Sequence, residues 1–414
     1  MFDDMYPKRE TGFEHDLRLE APELDFDFFE DDFCGPVIIE PATPIQEGDS
    51  DKLEQLTLDL SIEIEERNQD HTEKKTKAEP VELFPLNEYD TVILHLSGGA
   101  DSMGCLFWLK KEGLDFSKLE IWHQAVDGKG EDYNEFWDWP VTEAYCEAVA
   151  EAFGVPIYYQ WREGGLYGEL MRENRLAGDV LYMDKGNIVR LETKKGKHST
   201  RKRFPAQSAD LMRRWCSASG KSDPARRTLN NNPRYVGSTF KPKKILFITG
   251  ERRSEGGNRS NYLKAEKHSS TTRKRIVHHW RPVIDETKAS MFELHREFGI
   301  MPHPVYYLGF GRVSCMGCVF STAHQWAALQ HIAGERVERF AQTEQLIGHT
   351  VDVKLTVVEK AAKGAMEKVL PLNDPNLPRW IEMALSRSFT TEDLFTKEWI
   401  MPIGASRGCD GGAQ

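Results

Sequence analysis

No stretch of this 414-residue chain approaches the roughly 20 consecutive apolar residues that a membrane-spanning helix requires. Its acidic N-terminus lacks the basic-then-apolar pattern of an export signal. Cysteine is scarce: seven residues, odd in number and irregularly spaced, which argues against the paired-disulfide framework of a small secreted protein. A reducing, cytoplasmic setting with no membrane partner is the expectation. No motif recurs at a fixed period, so solenoid and propeller architectures are excluded. What is present, 39% hydrophobic and 29% charged residues, is the composition of a soluble globular chain. Its length suits two domains, or one large domain with extensions.

Basic residues are sparse at the start of the chain and abundant after it. Residues 1–90 hold 27 Asp and Glu against 8 Lys and Arg, and the remainder holds 39 against 46. The net charge of −12 therefore conceals an acidic extension on a basic body. Within the extension, residues 1–88, the run ELDFDFFEDDF from Glu23 to Phe33 alternates acid with aromatic side chains, and 68–80 reads as a polar linker. Such a segment is either a solvated, partly disordered tail or an acidic-aromatic docking peptide for a protein partner or for the basic body itself.

From Thr91 the pattern alternates strand and helix, the signature of a mostly parallel α/β sheet with helices packed on it. Strands are expected at 91–96, 119–126, 155–160, 244–249 and 275–280, and helices from about Met103, at 141–153, 165–175 and 286–298. The chain reads as mostly helical beyond Ser321. The 185–244 stretch is polar, basic and irregular, suited to facing a polyanion such as nucleic acid. These patterns divide the chain into 1–88, a body at 89–325, and a helical 326–414 with a glycine-rich tail.

The first strand runs into Ser97-Gly98-Gly99-Ala100-Asp101-Ser102 and then a helix. Two glycines let the backbone turn and approach a ligand, and a helix N-terminus favours anions. No Gly-Lys-Ser/Thr follows the glycine pair, so this is not a Walker A loop. In open α/β sheets, ligands sit at the carboxyl ends of strands. Asp127, after the second strand, could accept from a ribose hydroxyl or an adenine amine, or simply cap its loop. After the 244–249 strand come Gly250 and three arginines, Arg252, Arg253 and Arg259, among glycines and polar residues, a composition suited to polyphosphate or sulfate. Cys315 and Cys318 form a C-x-x-C turn, which zinc knuckles and redox pairs share. Cys216 follows Arg213-Arg214-Trp215, neighbours expected to lower its thiol pKa. Cys409 sits in the glycine-rich tail, and Cys34, Cys105 and Cys146 read as ordinary.

The strings SGGADS, VDGKGEDYNEFW, RRWCSASGKSDP, ITGERRSEGGNR, HHWRPVID and FGIMPHPVYYLGFGRVSCMGC occur in this order. SGGADS resembles the PP-loop of N-type ATP pyrophosphatases. Together the strings resemble the PAPS (phosphoadenosine phosphosulfate) reductase domain family over about residues 88–325, and most of all its larger bacterial, phage and mobile-element members. These include the sulfur-transfer protein of DNA phosphorothioation and the reductase-like partners of ParB-like proteins. The resemblance implies an adenine nucleotide α-hydrolase-like fold, with ATP or PAPS phosphates on Ser97, Gly98, Gly99, Asp101 and Ser102. It places Arg252 and Arg259 on phosphate or sulfate, Gly250 beside them, and Asp127 near ribose or base. It also implies Mg²⁺ and a [4Fe–4S] cluster on Cys216, Cys315 and Cys318, with a structural Zn²⁺ as the alternative. The fourth cluster position is either filled by Cys409 or open.

Three departures stand out. The adjacent cysteine pair of assimilatory adenylylsulfate reductases is absent, since Trp215 precedes Cys216; many relatives carry Lys where this chain has Ala100; and the family's C-terminal Glu-Cys-Gly-Leu/Ile-His string is replaced around Cys409. The activity implied is ATP α/β cleavage coupled to sulfur transfer to a nucleic acid or small acceptor, with Asp101, Ser102, Arg252 and Cys409 as catalytic candidates. A PAPS or adenylylsulfate reductase using Cys409 is one alternative. A non-catalytic nucleotide-binding regulator acting through the acidic extension is another.

Overall fold

Val92, Ile93 and Leu94 are apolar and consecutive, so both faces of their strand must be covered, and β1 (Thr91–His95) is accordingly central. A computed structural model describes residues 78–208, 213–255, 257–313, 315–395 and 398–407. The acidic extension up to residue 77 lies outside the described residues.

The strands are β1, β2 (Leu119–Gln124), β3 (Ile157–Arg162), β4 (Val180–Asp184), β5 (Asn187–Leu191), β6 (Lys243–Ile248), β7 (Ala265–Lys267) and β8 (Arg275–Trp280). They form a sheet ordered β5-β4-β3-β2-β1-β6-β8-β7. The five central strands are parallel, with Leu94 opposite Ile121 on one side and Ile248 on the other. The edges β4, β5 and β7 run antiparallel. The chain first builds outward from β1 to β3, then returns to the other side of β1. That reversal between β1 and β6 opens a crevice at their carboxyl ends.

Helices cover both faces. Val92 and Leu94 face the larger core with α1 (Ala100–Lys111), α2 (Thr142–Ala152) and the short α3 (Gly165–Leu170). Ile93 faces the opposite way, into a second core with Trp122, Phe247 and Leu229 of α4 (Asp223–Asn231). α5 (Lys288–Phe298) packs on α1, with Phe107 and Phe298 stacked at 4.6 Å. The expected strands recur within a residue or two. The first helix, however, starts at Ala100, so Asp101 and Ser102 belong to its first turn.

The helical C-terminal region comprises α6 (Ala323–Ile332), α7 (Gly334–Ile347), α8 (Val357–Ala362), α9 (Leu377–Leu385) and α10 (Thr391–Leu394). Thr322 with Gln325, and Thr356 with Glu359, close capping boxes that start α6 and α8. α7 braces the body. Arg336 donates to the carbonyls of Phe136 and Asp138 at 3.0 and 3.1 Å, and Phe340 packs on Phe136 at 4.1 Å. No helix among the described residues is long and apolar enough to cross a membrane.

The 185–244 stretch is more ordered than its composition suggests. It contains β5 and a continuous helical run, Trp215–Ser217, a π-helical turn Ala218–Ser222, and α4. Many of its cations are engaged inside the molecule. Arg190 pairs with Glu163 and Asp179, Arg201 with Glu169, and Arg226 with Asp223, while Arg227 donates to the carbonyls of Leu191 and Glu192. Reading the stretch as a polyanion surface overcounts its available charge, because sequence does not reveal internal partners.

Below the site, Glu120 is buried and accepts from Trp122 Nε1 at 3.0 Å, Arg234 Nη1 at 2.6 Å and the Tyr235 hydroxyl. This knot fixes β2 to the segment leading into β6. Truncating Glu120 to Ala strands a guanidinium and a phenol. Urea unfolding should show a loss of about 3 kcal/mol, the low end for a broken buried pair, because Asp184 still lies 3.2 Å from Arg234.

Candidate functional site

The loop after β1 needs two glycines for different reasons. Gly98 sits at φ +74°, where an L side chain is strained, and a Cβ there would also press on His303 and Tyr145. Gly99 is extended and caps α1 without a side chain. Ser102 closes the turn: its Oγ donates to Gly99 O at 2.9 Å and accepts from Ser97 N at 3.3 Å. One amide of the helix end is already taken, since Ala100 N donates to the Tyr306 hydroxyl at 2.9 Å.

The second wall comes from β6. Gly250 lies so close to α1 that a Cβ would come within 2.5 Å of Asp101 C and Ser102 N. This glycine is therefore required by backbone packing. The contact brings Arg252 over the loop, where its Nε donates to Asp101 Oδ1 at 2.6 Å. Burial pushes the Asp101 carboxyl up to about 6, against the pull of Arg252. Arg259 Nη1 reaches Glu255 Oε2 at 2.5 Å, and Glu255 also accepts from Arg252 N. The three arginines do not act together. Arg253 instead pairs with Asp285 at 2.7 Å and donates to Ser260 O and Tyr262 O, bracing its own loop.

These walls enclose a cleft of about 480 Å³, within the usual size of small-molecule sites. Ser97, Gly99, Asp101, Ser102, Gly250, Arg252 and Arg259 line it, together with Cys216, Cys315 and Cys318. The helical run from Trp215 brings both Cys216 and Lys221 to the cleft, and Lys221 lies in its π-helical turn; such turns concentrate at functional sites. The C-x-x-C turn is seated by Gly317 against the ring of Phe340. Lys288, also on the cleft, donates to the carbonyls of Gly311, Gly404 and Arg407, tying the segment before the C-x-x-C turn to the C-terminal segment. Cys409 lies outside the described residues.

Arginine neighbours were expected to lower the Cys216 thiol, but burial outweighs them. Helped by Cys318, it pushes Cys216 up to about 11 against Lys221 and Arg214. Burial likewise raises Cys315 well above the ordinary thiol range. No group of three or more His, Cys, Asp or Glu among the described residues could hold a metal ion. The three thiols share a wall, yet as arranged they do not fit the expected [4Fe–4S] cluster or Zn²⁺. The carboxylates nearest the loop are also engaged, Asp101 by Arg252, Glu255 by Arg259, and Glu251 by Arg281 at 2.5 Å, so they form no cage for Mg²⁺.

Asp127 is not brought to the cleft. Its carboxylate accepts from the amides of Phe136, Trp137 and Asp138 at 3.1, 2.7 and 2.9 Å, which makes it the brace of its loop. It lines a separate cavity of about 220 Å³ that Asp138 shares. Burial and the Asp127 charge push Asp138 up to about 7.

Sequence reading missed several cleft residues: His95, Gln124, Lys221, Phe247, Lys288 and Tyr306. A signal existed for His95, a polar residue ending a buried strand, and for Phe247, which shares its face by period-2 alternation. Nothing local marked Lys288 or Tyr306.

No family model matches the chain, so its resemblance to the PAPS reductase domain rests on motifs alone. An uncharacterized 37.8 kDa protein of Escherichia phage 186 is 28% identical over 145 residues, 35% of this chain and 40% of that protein. The chain thus matches less than half the length of this curated relative. Among solved structures, FMN adenylyltransferase of Candida glabrata overlaps 56% of each chain at TM-score 0.30. It does so with 11% identity in its complex with FMN and the ATP analogue AMPCPP, and 10% with FAD and inorganic pyrophosphate. A TM-score of 0.30 assigns neither fold nor function.

Two outcomes follow from this geometry. Gly250→Ala should lower unfolding stability by about 1–3 kcal/mol, as overpacking does, measured by urea titration. For Asp138, the raised folded pKa means that folding takes up a proton. Its contribution is full below the ordinary value of 3.8 and is lost as pH rises through about 7. Asp138→Asn keeps the acceptor for Trp139 N and Thr142 Oγ1 but has no charge to bury. Its Tm relative to wild type should climb between pH 4 and 7 and level off above.

Proposed function

We propose that this protein binds an adenine nucleotide in the cleft at the β1–β6 reversal and cleaves it between the α- and β-phosphates, adenylating an acceptor. The observation that carries this reading is that Ser97, Gly99, Ala100, Asp101 and Ser102 line one cavity with Arg252 and Arg259 at the carboxyl ends of β1 and β6, while Gly98 shapes the turn from outside it. The N-terminus of α1 supplies the positive end of a helix dipole, and the glycines allow close approach of backbone to phosphate.

An acceptor oxygen carrying no proton, such as a carbonyl or phosphate oxygen, would attack the α-phosphorus. The new P–O bond replaces the α–β bridging bond, and pyrophosphate leaves. The chain's part is positioning and charge stabilisation: Arg252, exchanging Asp101 for phosphate, and Arg259 oppose the charge that develops on the departing oxygens. Magnesium would arrive on the nucleotide phosphates, as it commonly does where no carboxylate cage exists.

Sulfur transfer is the second half of the proposal and rests on the thiols of the same wall. A persulfide on one of Cys216, Cys315 or Cys318, loaded by a desulfurase-type donor, attacks the adenylated centre through its terminal sulfur, and AMP leaves. A second thiol then releases the thiolated product as the pair oxidises to a disulfide, which an external dithiol reduces.

Full-length protein with ATP, Mg²⁺ and a panel of DNA and RNA acceptors should release pyrophosphate. Arg252→Ala should slow release by about 10²-fold, the usual effect of removing one preorganised charge-stabilising donor. Replacing Cys216, Cys315 and Cys318 together by Ser should leave pyrophosphate release intact and abolish the thiolated product. Absence of pyrophosphate with every acceptor, together with no measurable ATP binding, would sink the proposal.

A further inference from the structure

The cleft lies at the carboxyl ends of the parallel strands, and two basic turns lie at the other end. Turn 238–241 precedes β6 and turn 272–275 leads into β8. Because β6 and β8 run parallel, both turns sit at their amino ends. Strands of 6 residues put them about 20 Å from the cleft. Both turns are held by hydrogen bonds rather than left loose. Ser238 N donates to Lys241 O at 3.1 Å, and Lys241 N donates back to Ser238 Oγ at 3.0 Å. Gly237 permits this fold-back, since a Cβ there would lie 2.4 Å from Lys241 O and 2.7 Å from Lys243 N. In the second turn Thr272 and Arg275 exchange backbone bonds at 2.7 and 3.2 Å. Beneath it the Arg275 guanidinium is buried and donates to Leu229 O, to Ser270 O at 2.9 Å and to Asn230 Oδ1 at 2.7 Å. One carbonyl joins the pair: Lys274 O accepts from Gly237 N and Lys243 N at 3.0 and 3.1 Å.

Phe240, at a corner of the first turn, is 99% exposed. Lys241, Arg273 and Lys274 are exposed on the same two turns, and Lys243 is half-buried between them. Neither 236–244 nor 267–275 contains an Asp or Glu. Lys244 pairs with Glu88 at 2.9 Å, but no carboxylate among the described residues pairs with Lys241, Lys243, Arg273 or Lys274. Much of the charge in the 185–244 stretch is consumed internally, and what is left gathers at its end. An exposed phenylalanine on its own carries no message. A ring held out by a fixed turn among four unpaired cations offers an aromatic face and phosphate contacts together, with little ordering left to do on binding.

We propose that these two turns form a docking surface for single-stranded nucleic acid, with a base stacked on Phe240 and the flanking phosphates on Lys241, Lys243, Arg273 and Lys274. The surface is separate from the cleft and does not rest on the nucleotide reading. An anionic membrane would also meet the cations, but anchoring in lipid needs a broad apolar face. Here Val236, 39% exposed, is the other large apolar side chain exposed in these segments. A duplex keeps its bases stacked on one another, so it engages the cations and not the ring.

The test is fluorescence anisotropy of the full-length protein with labelled oligothymidylate, oligouridylate and a DNA duplex over a series of salt concentrations, beside sedimentation with phosphatidylserine vesicles. Phe240→Ala should weaken single-strand binding about tenfold, the loss of one stacked base, and leave its salt dependence unchanged. Phe240→Trp should restore it. Lys241→Gln combined with Lys274→Gln should reduce the slope of log K against log salt by about 1.4, at about 0.7 per phosphate. Duplex binding should fall with the lysines and ignore Phe240. Substitutions at such exposed positions leave folding intact, which an unchanged Tm checks. Either oligonucleotide behaving in this way supports the proposal, and comparing the two identifies the preferred sugar. Wild type that binds neither single strand at low salt overturns it, as does single-strand binding that Phe240→Ala leaves intact. Vesicles that bind wild type more tightly than either oligonucleotide, and lose that binding in Phe240→Ala, overturn it in favour of a membrane. Absence of ATP binding or pyrophosphate release counts against the nucleotide reading and leaves this surface standing.

Discussion

The site depends on one close approach, Gly250 lying against the first turn of α1. Its missing Cβ lets the β6 loop settle on the backbone of Asp101 and Ser102. That contact carries Arg252 to Asp101, and through the shared Glu255 it sets the position of Arg259. Two loops far apart in sequence become one wall. The parallel pairing of β1 with β6 makes the approach possible, because it aligns their carboxyl ends.

Around this contact the rest of the chain acts as support. α7 holds the loop of Phe136 and Asp138 through Arg336 and seats the C-x-x-C turn through Phe340. Lys288 gathers three carbonyls from two segments beside the cleft. The helical region after residue 325 is thus part of the scaffold of the site rather than an appendage. Asp127 and Arg253, both attractive as ligand-binding residues, are tied up as braces by backbone amides and carbonyls.

Electrostatics inside the cleft follow burial more than neighbours. Cys216 lies near Arg214 and Lys221 and still has its thiol raised, because desolvating a thiolate outweighs two cations that solvent partly screens. Asp101, even at 2.6 Å from Arg252, has a raised carboxyl for the same reason. The histidines at the far end are held neutral by burial. Burial, rather than the nearest charge, thus sets the protonation of the cleft's titratable groups.

The local grammar of the fold was legible in the sequence. Apolar runs marked the parallel strands to within a residue or two, and the glycine pair marked the turn at Gly98. These features depend on the φ/ψ limits and side-chain period of a few adjacent residues. The β4–β5 hairpin and the π-helical turn were not legible, since charged side chains there find partners only in the folded chain. The same holds for the site. The sequence determined that a glycine loop and an arginine-rich loop would each follow a buried strand. Only tertiary structure decided that Arg252 and not Arg253 faces the cleft, that Asp127 braces a loop, and that His95 and His268 flank Phe247. Those outcomes turn on which strands meet at the reversal between β1 and β6, a long-range packing choice that no short window of residues encodes.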